Sequence, residues 1–451
     1  MSIRQGASST LRRITIVVLG LALVAAISAW GGTPSQTTSR SSKSVALTVW
    51  GMDFGPGYTA AINKDLAQWN GMHTGIAINW IWKSYSVIAA SGKLALSGPG
   101  GPDIMMTVEG WPNVQMGAAG LFANLNKYAT QYGWYKELSA SVIALNSSTS
   151  NGKYFGRGNL YSVSDSSTEV GYCYNKSLLT RLHLTLPATL SAFTQDMAVA
   201  KAHNIIPMEQ GNLLHTWDSF MVSDMPTASI LNWVFGNGNG TVNNAGEIAG
   251  AQTLLNWAKN GYFQPGFISE SQNGGTAAPM NNFLAGKSLF YGSCDPTLYG
   301  NITAANKQNN VGFFIQPPLR AGGPIAMPGG ANNPYIISAR SSQKDAAAKF
   351  INFLLTKPAQ ERIQPYSALL PIDAHLGPNP SLPHSLIVQT LSSAYAKVVN
   401  GIVPWPDFAT LDYVTVMTAD TDELVSGKIS PQAMMASLQQ DHSKFLATLG
   451  R

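Results

Sequence analysis

Val45-Ala-Leu-Thr-Val-Trp50, closed by Gly51, is followed by a run over residues 58–69 and then by Ile76-Ala-Ile-Asn-Trp-Ile-Trp82. The first and third runs are rich in β-branched and aromatic side chains, which favour extended backbone. The middle run spaces its apolar side chains for a helix before Asn70-Gly71 stops it. Strand, helix, strand is the opening of an α/β domain. A helix is expected over residues 87–96, a turn at Gly98-Pro-Gly-Gly-Pro102 and a third strand over 103–108. Strands that alternate with helices predict a largely parallel sheet. The same grammar predicts strands over 169–174 and 288–291 and helices over 190–203 and 251–261, without any tandem repeat.

A chain of 451 residues exceeds what one hydrophobic core serves, so two lobes of roughly 150–200 residues are expected. Apolar residues at 45% and aromatic residues at 10% suffice to bury large cores and exclude a mostly disordered chain. Charged residues are only 11%, against about 25% in ordinary proteins. The 28 Lys and Arg outnumber the 23 Asp and Glu for a net charge of +5, but they are scattered. Nucleic-acid binding requires a clustered basic face and is excluded. Few carboxylates suit an acidic exterior, because few must be protonated as pH falls.

Arg4, Arg12 and Arg13 precede an apolar stretch over residues 14–30, the order of a secretory signal. A run of about 17 residues also reaches the lower limit for an uncleaved membrane anchor. Either reading places the folded part outside the cytoplasm, and no Cys follows the apolar run to carry a lipid. Residues 32–44 are small and polar and read as a flexible spacer. Cys173 and Cys294 are the only cysteines. Outside the cytoplasm such a pair can form a disulfide or stay apart, and spacing does not decide between the two.

Several segments carry a resemblance, in order along the chain. They are Gly100-Gly-Pro-Asp-Ile-Met105, Gly120-Leu-Phe-Ala-Asn-Leu-Asn126, Gly152-Lys-Tyr-Phe-Gly156, and Tyr172-Cys-Tyr-Asn-Lys176 with Leu182-His-Leu-Thr-Leu-Pro187. Phe283-Leu-Ala-Gly-Lys-Ser288, Gly292-Ser-Cys294 and Leu369-Leu-Pro371 continue the series. Together they resemble the extracellular sugar-binding proteins of bacterial ABC importers, the group that includes maltose-binding protein. The resemblance implies an α/β, two-lobed periplasmic-binding-protein fold of type II, with a hinge and a ligand cleft between the lobes. Lobe one would comprise residues 45–164 plus 312–362, and lobe two residues 165–311 plus 363–446, with crossings near Ser164-Asp165 and Gly312. His183 and Leu190 depart from the family's pattern, and Cys294 stands where many members carry a ligand-stacking Trp.

A sugar offers hydroxyls and flat C–H faces, so its site needs aromatic rings beside Asp, Glu, Asn or Gln. Ligands of open α/β sheets sit beyond the carboxyl ends of strands. Trp50 and Asp53 follow the first strand, and Thr107, Glu109 and Trp111 follow the third. The plain alternative for these residues is a buried indole beside a turn-forming acid. The resemblance adds Asp165 at the hinge, and Gln210, His215 and Trp217 in a loop of lobe two. It also adds Cys294 and Asp295 after a strand, Gly330, Asn332 and Asn333 in a glycine-rich loop, and Asp412 and Tyr413, with Trp405, near a late helix.

The function implied is capture of a sugar or oligosaccharide for delivery to the membrane permease subunits of an importer, by a monomer. A receptor for a polyamine or a phosphorylated compound is the alternative. An exported carbohydrate-active enzyme is the other, since Glu109, Asp165 and Asp295 could supply the two carboxylates of glycoside hydrolysis. The chain has no Gly-x-Ser-x-Gly elbow and no His or Cys cluster with metal spacing. No catalytic residue, metal or cofactor is therefore expected.

Overall fold

The computed structural model describes residues 45–451 apart from 239, 273–276, 296–297, 332, 368–369, 373–381 and 399–401. The basic and apolar leader, the spacer and Asn332 lie outside the described residues. The expected opening is present: strand Val45–Met52, helix Pro56–Gly71, strand Ile76–Lys83, helix Tyr85–Ser97 and strand Ile104–Met106. Helix Pro56–Gly71 starts on a proline, whose missing N–H costs nothing in a first turn. Helix Tyr85–Ser97 is capped by Ser84, whose hydroxyl oxygen accepts from the Val87 N–H at 3.3 Å.

Three sheets of four or five strands, beside a two-stranded ribbon, organise the described residues. The first has five strands, in the order Ile76–Lys83, Val45–Met52, Ile104–Met106, Tyr335–Ile337, Ser162–Val163. Its first three strands are parallel, while Tyr335–Ile337 runs antiparallel to both of its neighbours. Leu47, Val49 and Met52 are wholly buried from one strand, and helix Lys344–Leu354 covers the sheet with buried Ala347, Ala348, Phe350 and Ile351. Trp69 packs on Phe350 and Phe353 at ring distances of 5.1 and 5.2 Å.

The second sheet has the order Val311–Phe314, Gly171–Asn175, Ser288–Cys294, Ile206–Gln210. Ser288–Cys294 is parallel to Ile206–Gln210 and antiparallel to Gly171–Asn175. Cys173 and Cys294 form a disulfide between these adjacent strands, with Cα atoms 5.3 Å apart. Helix Leu213–Asp224 is buried along nearly its whole length, its polar Thr216, Asp218, Ser219, Ser223 and Asp224 included.

The third sheet joins short strands in the order Leu370–Pro371, Ser166–Glu169, Met327–Ala331, Ile402–Val403. Ser166–Glu169 follows the first sheet and leads into the second, and Met327–Ala331 follows the second and leads back into the first. These are the segments in which the chain passes between the two larger sheets. The strand expected over 169–174 is accordingly split at Val170 into a crossing strand and a second-sheet strand. Both large sheets are mixed rather than largely parallel, because strands entering from the crossing segments run opposite to those built by strand-helix-strand units. Residue 312 lies inside the second-sheet strand Val311–Phe314, and the chain re-enters the first sheet only at Tyr335.

One apolar core draws on residues 47–163 and 331–372, and a second draws mainly on residues 172–445. Trp111, Val114 and Phe155 belong to the second core although the chain around them feeds the first sheet.

Candidate ligand cleft

Glu109 stands three residues past strand Ile104–Met106, and the next residue, Gly110, has φ 74°. A side chain there would meet the Phe408 Cβ at 2.9 Å. Only glycine gives both that backbone and that close approach, and the turn directs the chain into helix Trp111–Ala118. Asn212, at the carboxyl end of Ile206–Gln210, caps helix Leu213–Asp224 by accepting from the Leu214 N–H at 3.0 Å. Asp295 follows Ser288–Cys294, Asn333 follows Met327–Ala331, and the 3-10 turn Pro406–Ala409 carries Asp407 and Phe408.

These strand ends converge on a cavity of about 370 Å³. Phe54, Tyr85, His215, Trp405 and Phe408 contribute rings, and Glu109, Asn212, Asp295, Asn333 and Asp407 contribute polar groups. Thr168 and Val170 of the crossing segment form part of the wall. The His215 ring lies 4.9 Å from Trp405, and its Nδ1 shares a hydrogen bond of 2.9 Å with the Ser293 hydroxyl. Ser293 reaches it from a left-handed backbone, φ 64°, at the bulge between Gly292 and Cys294. Burial lowers His215 to about 4, so its imidazole is neutral at pH 7.

Burial pushes Glu109 up to about 8 against N–H groups of its own backbone and of Asn333, with the Asp407 charge adding to the rise. Asp407 is raised to about 7 by burial. Oδ1 of Asp407 and Oδ1 of Asn333 are buried without a protein partner.

Of the sequence-derived candidates, Glu109 and Asp295 line this cavity, as do His215, Asn333 and Trp405, which sequence also singled out. The other described candidates stand elsewhere. Trp50 is half-buried beneath Lys83, whose Nζ lies 4.8 Å from the ring. Asp53 is exposed and accepts from the Gly55 N–H at 2.9 Å, the turn-forming role. The Thr107 hydroxyl donates to the Pro334 carbonyl at 3.2 Å.

Trp111 is wholly buried against Phe155 and Phe445 and donates its indole N–H to the Val234 carbonyl at 3.0 Å. Trp217 and Tyr413 are wholly buried as well. Gln210 spends its amide on the Asn212 carbonyl and accepts from the Thr216 hydroxyl at 3.0 Å. Cys294 is consumed by the disulfide. Gly330, at φ 125°, holds a crossing strand against Leu145, and Asp412 is exposed at the start of helix Tyr413–Val425. Asp165 sits at the first crossing, where its carboxylate accepts from the hydroxyls of Tyr335 at 2.8 Å, Ser166 at 2.9 Å and Tyr58 at 3.4 Å.

Sequence reasoning missed Phe54, Tyr85, Asn212, Asp407 and Phe408. Asn212 was legible as an N-cap just past a strand, and Asp407 by its place beside the Pro404-Trp405-Pro406 loop. Phe54 and Tyr85 follow the first two strands directly, yet nothing in their local pattern separates a cleft ring from a core ring.

Among the described residues, no group of three or more His, Cys, Asp or Glu is placed to hold a metal ion. Among the same residues, no helix is long and apolar enough to cross a membrane.

No curated protein sequence matches the chain. Solved structures do. A chitin oligosaccharide binding protein is 18% identical, with 90% of this chain and 100% of that one covered and a TM-score of 0.76. The GacH receptor of Streptomyces glaucescens, solved unliganded and with acarbose, is 17% identical over 90% of this chain and 99% of its own, with a TM-score of 0.71. The bacterial solute receptor AcbH, described by its exclusive preference for β-D-galactopyranose, is 14% identical over 89% and 100%, with a TM-score of 0.72. At these identities the likeness establishes a shared two-lobed binding-protein fold. The model of the bacterial extracellular solute-binding protein family matches residues 53–361, more than half of the chain, and the chain belongs to that family.

Proposed function

We propose that this protein is the extracytoplasmic receptor of an ABC importer, capturing a sugar or oligosaccharide in the cleft and delivering it to the membrane permease without chemical change. The observation that carries the reading is the cavity's composition. Rings of Tyr85, Trp405 and Phe408 stand beside the hydrogen-bonding groups of Glu109, Asn212, Asn333 and Asp407, and this is the pairing that sugar C–H faces and hydroxyls require. Relatives of the same fold are described as binding chitin oligosaccharide, acarbose and galactopyranose, which supports the saccharide class.

In this reading residues 45–164 and the returning segment form one lobe, residues 165–311 and the helical end form the other, and the crossing strands act as hinge. Ligand stabilises the closed state by binding it more tightly than the open one. The leader exports the chain, and the receptor works as a monomer.

A thermal-shift screen of the full-length protein against mono- and oligosaccharides, polyamines and phosphorylated sugars tests this. Saturation at 100 times the dissociation constant adds about 2.7 kcal/mol of apparent stability. A saccharide hit recovered unchanged after long incubation supports the receptor reading. Hydrolysis of that hit defeats it in favour of an enzyme, and hits confined to polyamines or phosphates overturn the ligand class.

A further inference from the structure

Glu109, Asp295 and Asp407 line the cavity, and no lysine or arginine among the described residues does. The basic ring present, His215, is held neutral at pH 7 by burial. Glu109, Asp407 and Tyr85 line the same cavity, the Asp407 charge raises Glu109, and both carboxylates raise the Tyr85 hydroxyl, so the two carboxylates share one space. Asp218 and Tyr413, the further groups that interact with Asp407, bring no cation either. Two like charges withdrawn from water beside each other are costly unless a proton or a cation compensates them.

The unmet hydrogen-bonding capacity points the same way. Asp407 and Asn333 are only 9% and 6% exposed, and the Oδ1 of each lacks a protein partner. Both atoms accept when Asp407 is ionised, and donors on a ligand would meet that capacity. A sugar hydroxyl donates one proton and carries no charge, whereas an ammonium donates three and neutralises the acids. The Trp405 and Phe408 rings beside them are surfaces to which a cation is attracted.

We propose that the ligand of this cavity is a saccharide bearing a protonated amine, with its ammonium seated between the carboxylates of Glu109 and Asp407 and against the Trp405 ring. The proposal rests on the saccharide reading of the cleft and specifies the class. With the ammonium in place both carboxylates stay ionised, and any proton they held is released to the buffer as the ligand binds.

Titration calorimetry on the full-length protein at pH 6, where the amines of the probes are already protonated in solution, in two buffers of different ionisation enthalpy, tests the idea. The probes are glucosamine oligomers, their N-acetylated counterparts of equal length, and neutral gluco-oligosaccharides. The glucosamine oligomers are expected to bind at least about tenfold more tightly than either neutral series, with proton release seen as buffer-dependent heat. In Glu109→Gln that preference and the released proton should both shrink, while the melting temperature confirms a folded protein. Equal or weaker binding of the amine series overturns the amine proposal and leaves the saccharide reading standing. Binding of spermidine with none of the saccharides overturns both, and binding of none of these probes overturns the amine proposal.

Discussion

At the residue scale, the indoles show how burial separates two uses of one side chain. Trp405 lines the cavity between two prolines and touches His215, so under the proposed function its ring is one that a ligand would meet. Trp111, two residues past Glu109, is sealed in the second core. Trp405→Ala is expected to weaken saccharide binding about tenfold or more, by removing a desolvated aromatic wall. Trp111→Ala is expected to lower unfolding free energy by about 3–5 kcal/mol through cavity formation and the lost bond to Val234. Calorimetry and urea unfolding on both variants check the division of roles, and a reversed pattern would show that the assignment is wrong. Asp165 teaches the same lesson for an acid. With three hydroxyl donors from Tyr58, Ser166 and Tyr335 it knits the crossing segment to the first sheet, and it has no face on the cavity.

At the element scale, the strand Ser288–Cys294 does two jobs at one bulge. The extra residue between Gly292 and Cys294 turns Ser293 toward His215, and Cys294 then locks the strand to Gly171–Asn175 through Cys173. The bond closes a loop of 121 residues, and constraining an unfolded loop of that order stabilises by about 2–4 kcal/mol in practice. The double variant Cys173→Ser with Cys294→Ser should therefore unfold at lower guanidinium concentration, with about 3 kcal/mol less stability. An unchanged midpoint would remove the disulfide from the list of stabilising features. This bulge was beyond sequence reasoning, because the alternation of a strand does not reveal where one residue is inserted.

At the scale of the whole molecule, burial of carboxylates sets the response to pH. Glu109, Glu169 and Asp407 are raised to about 8, 7 and 7, and Asp65 and Asp196 to about 6, each chiefly by burial. Asp165, Asp218 and Glu247 are raised by the same cause. A group whose folded value exceeds its unfolded value contributes stability at low pH and loses it as pH rises through the folded value. His215 and His442, lowered to about 4, act oppositely and lose their contribution as pH falls from 6.5 toward 4. The acids outnumber the histidines, and between pH 8 and 6 they act almost alone. The unliganded protein should therefore melt about 5 °C or more higher at pH 6 than at pH 8, and remain folded at pH 4. Scanning calorimetry across that range checks it, and a melting temperature that falls with acidification contradicts the account.

The strands and helices of the opening, the α/β class and the family were set by local pattern, because apolar periodicity, turn residues and ordered short motifs act within about twenty residues. So was the expectation that strand ends carry the ligand, which brought Glu109 into view, while the family resemblance brought Asp295, His215 and Trp405. Pattern did not settle which of those ends converge. Phe54, Asn212, Asp407 and Phe408 are separated by up to several hundred residues, and only the crossing segments, which return the chain twice between its sheets, bring them around one cavity. Trp111 and Trp217 look in sequence like Trp405. Whether an indole faces ligand or core depends on what the far end of the chain packs against it, and that is information no local stretch contains.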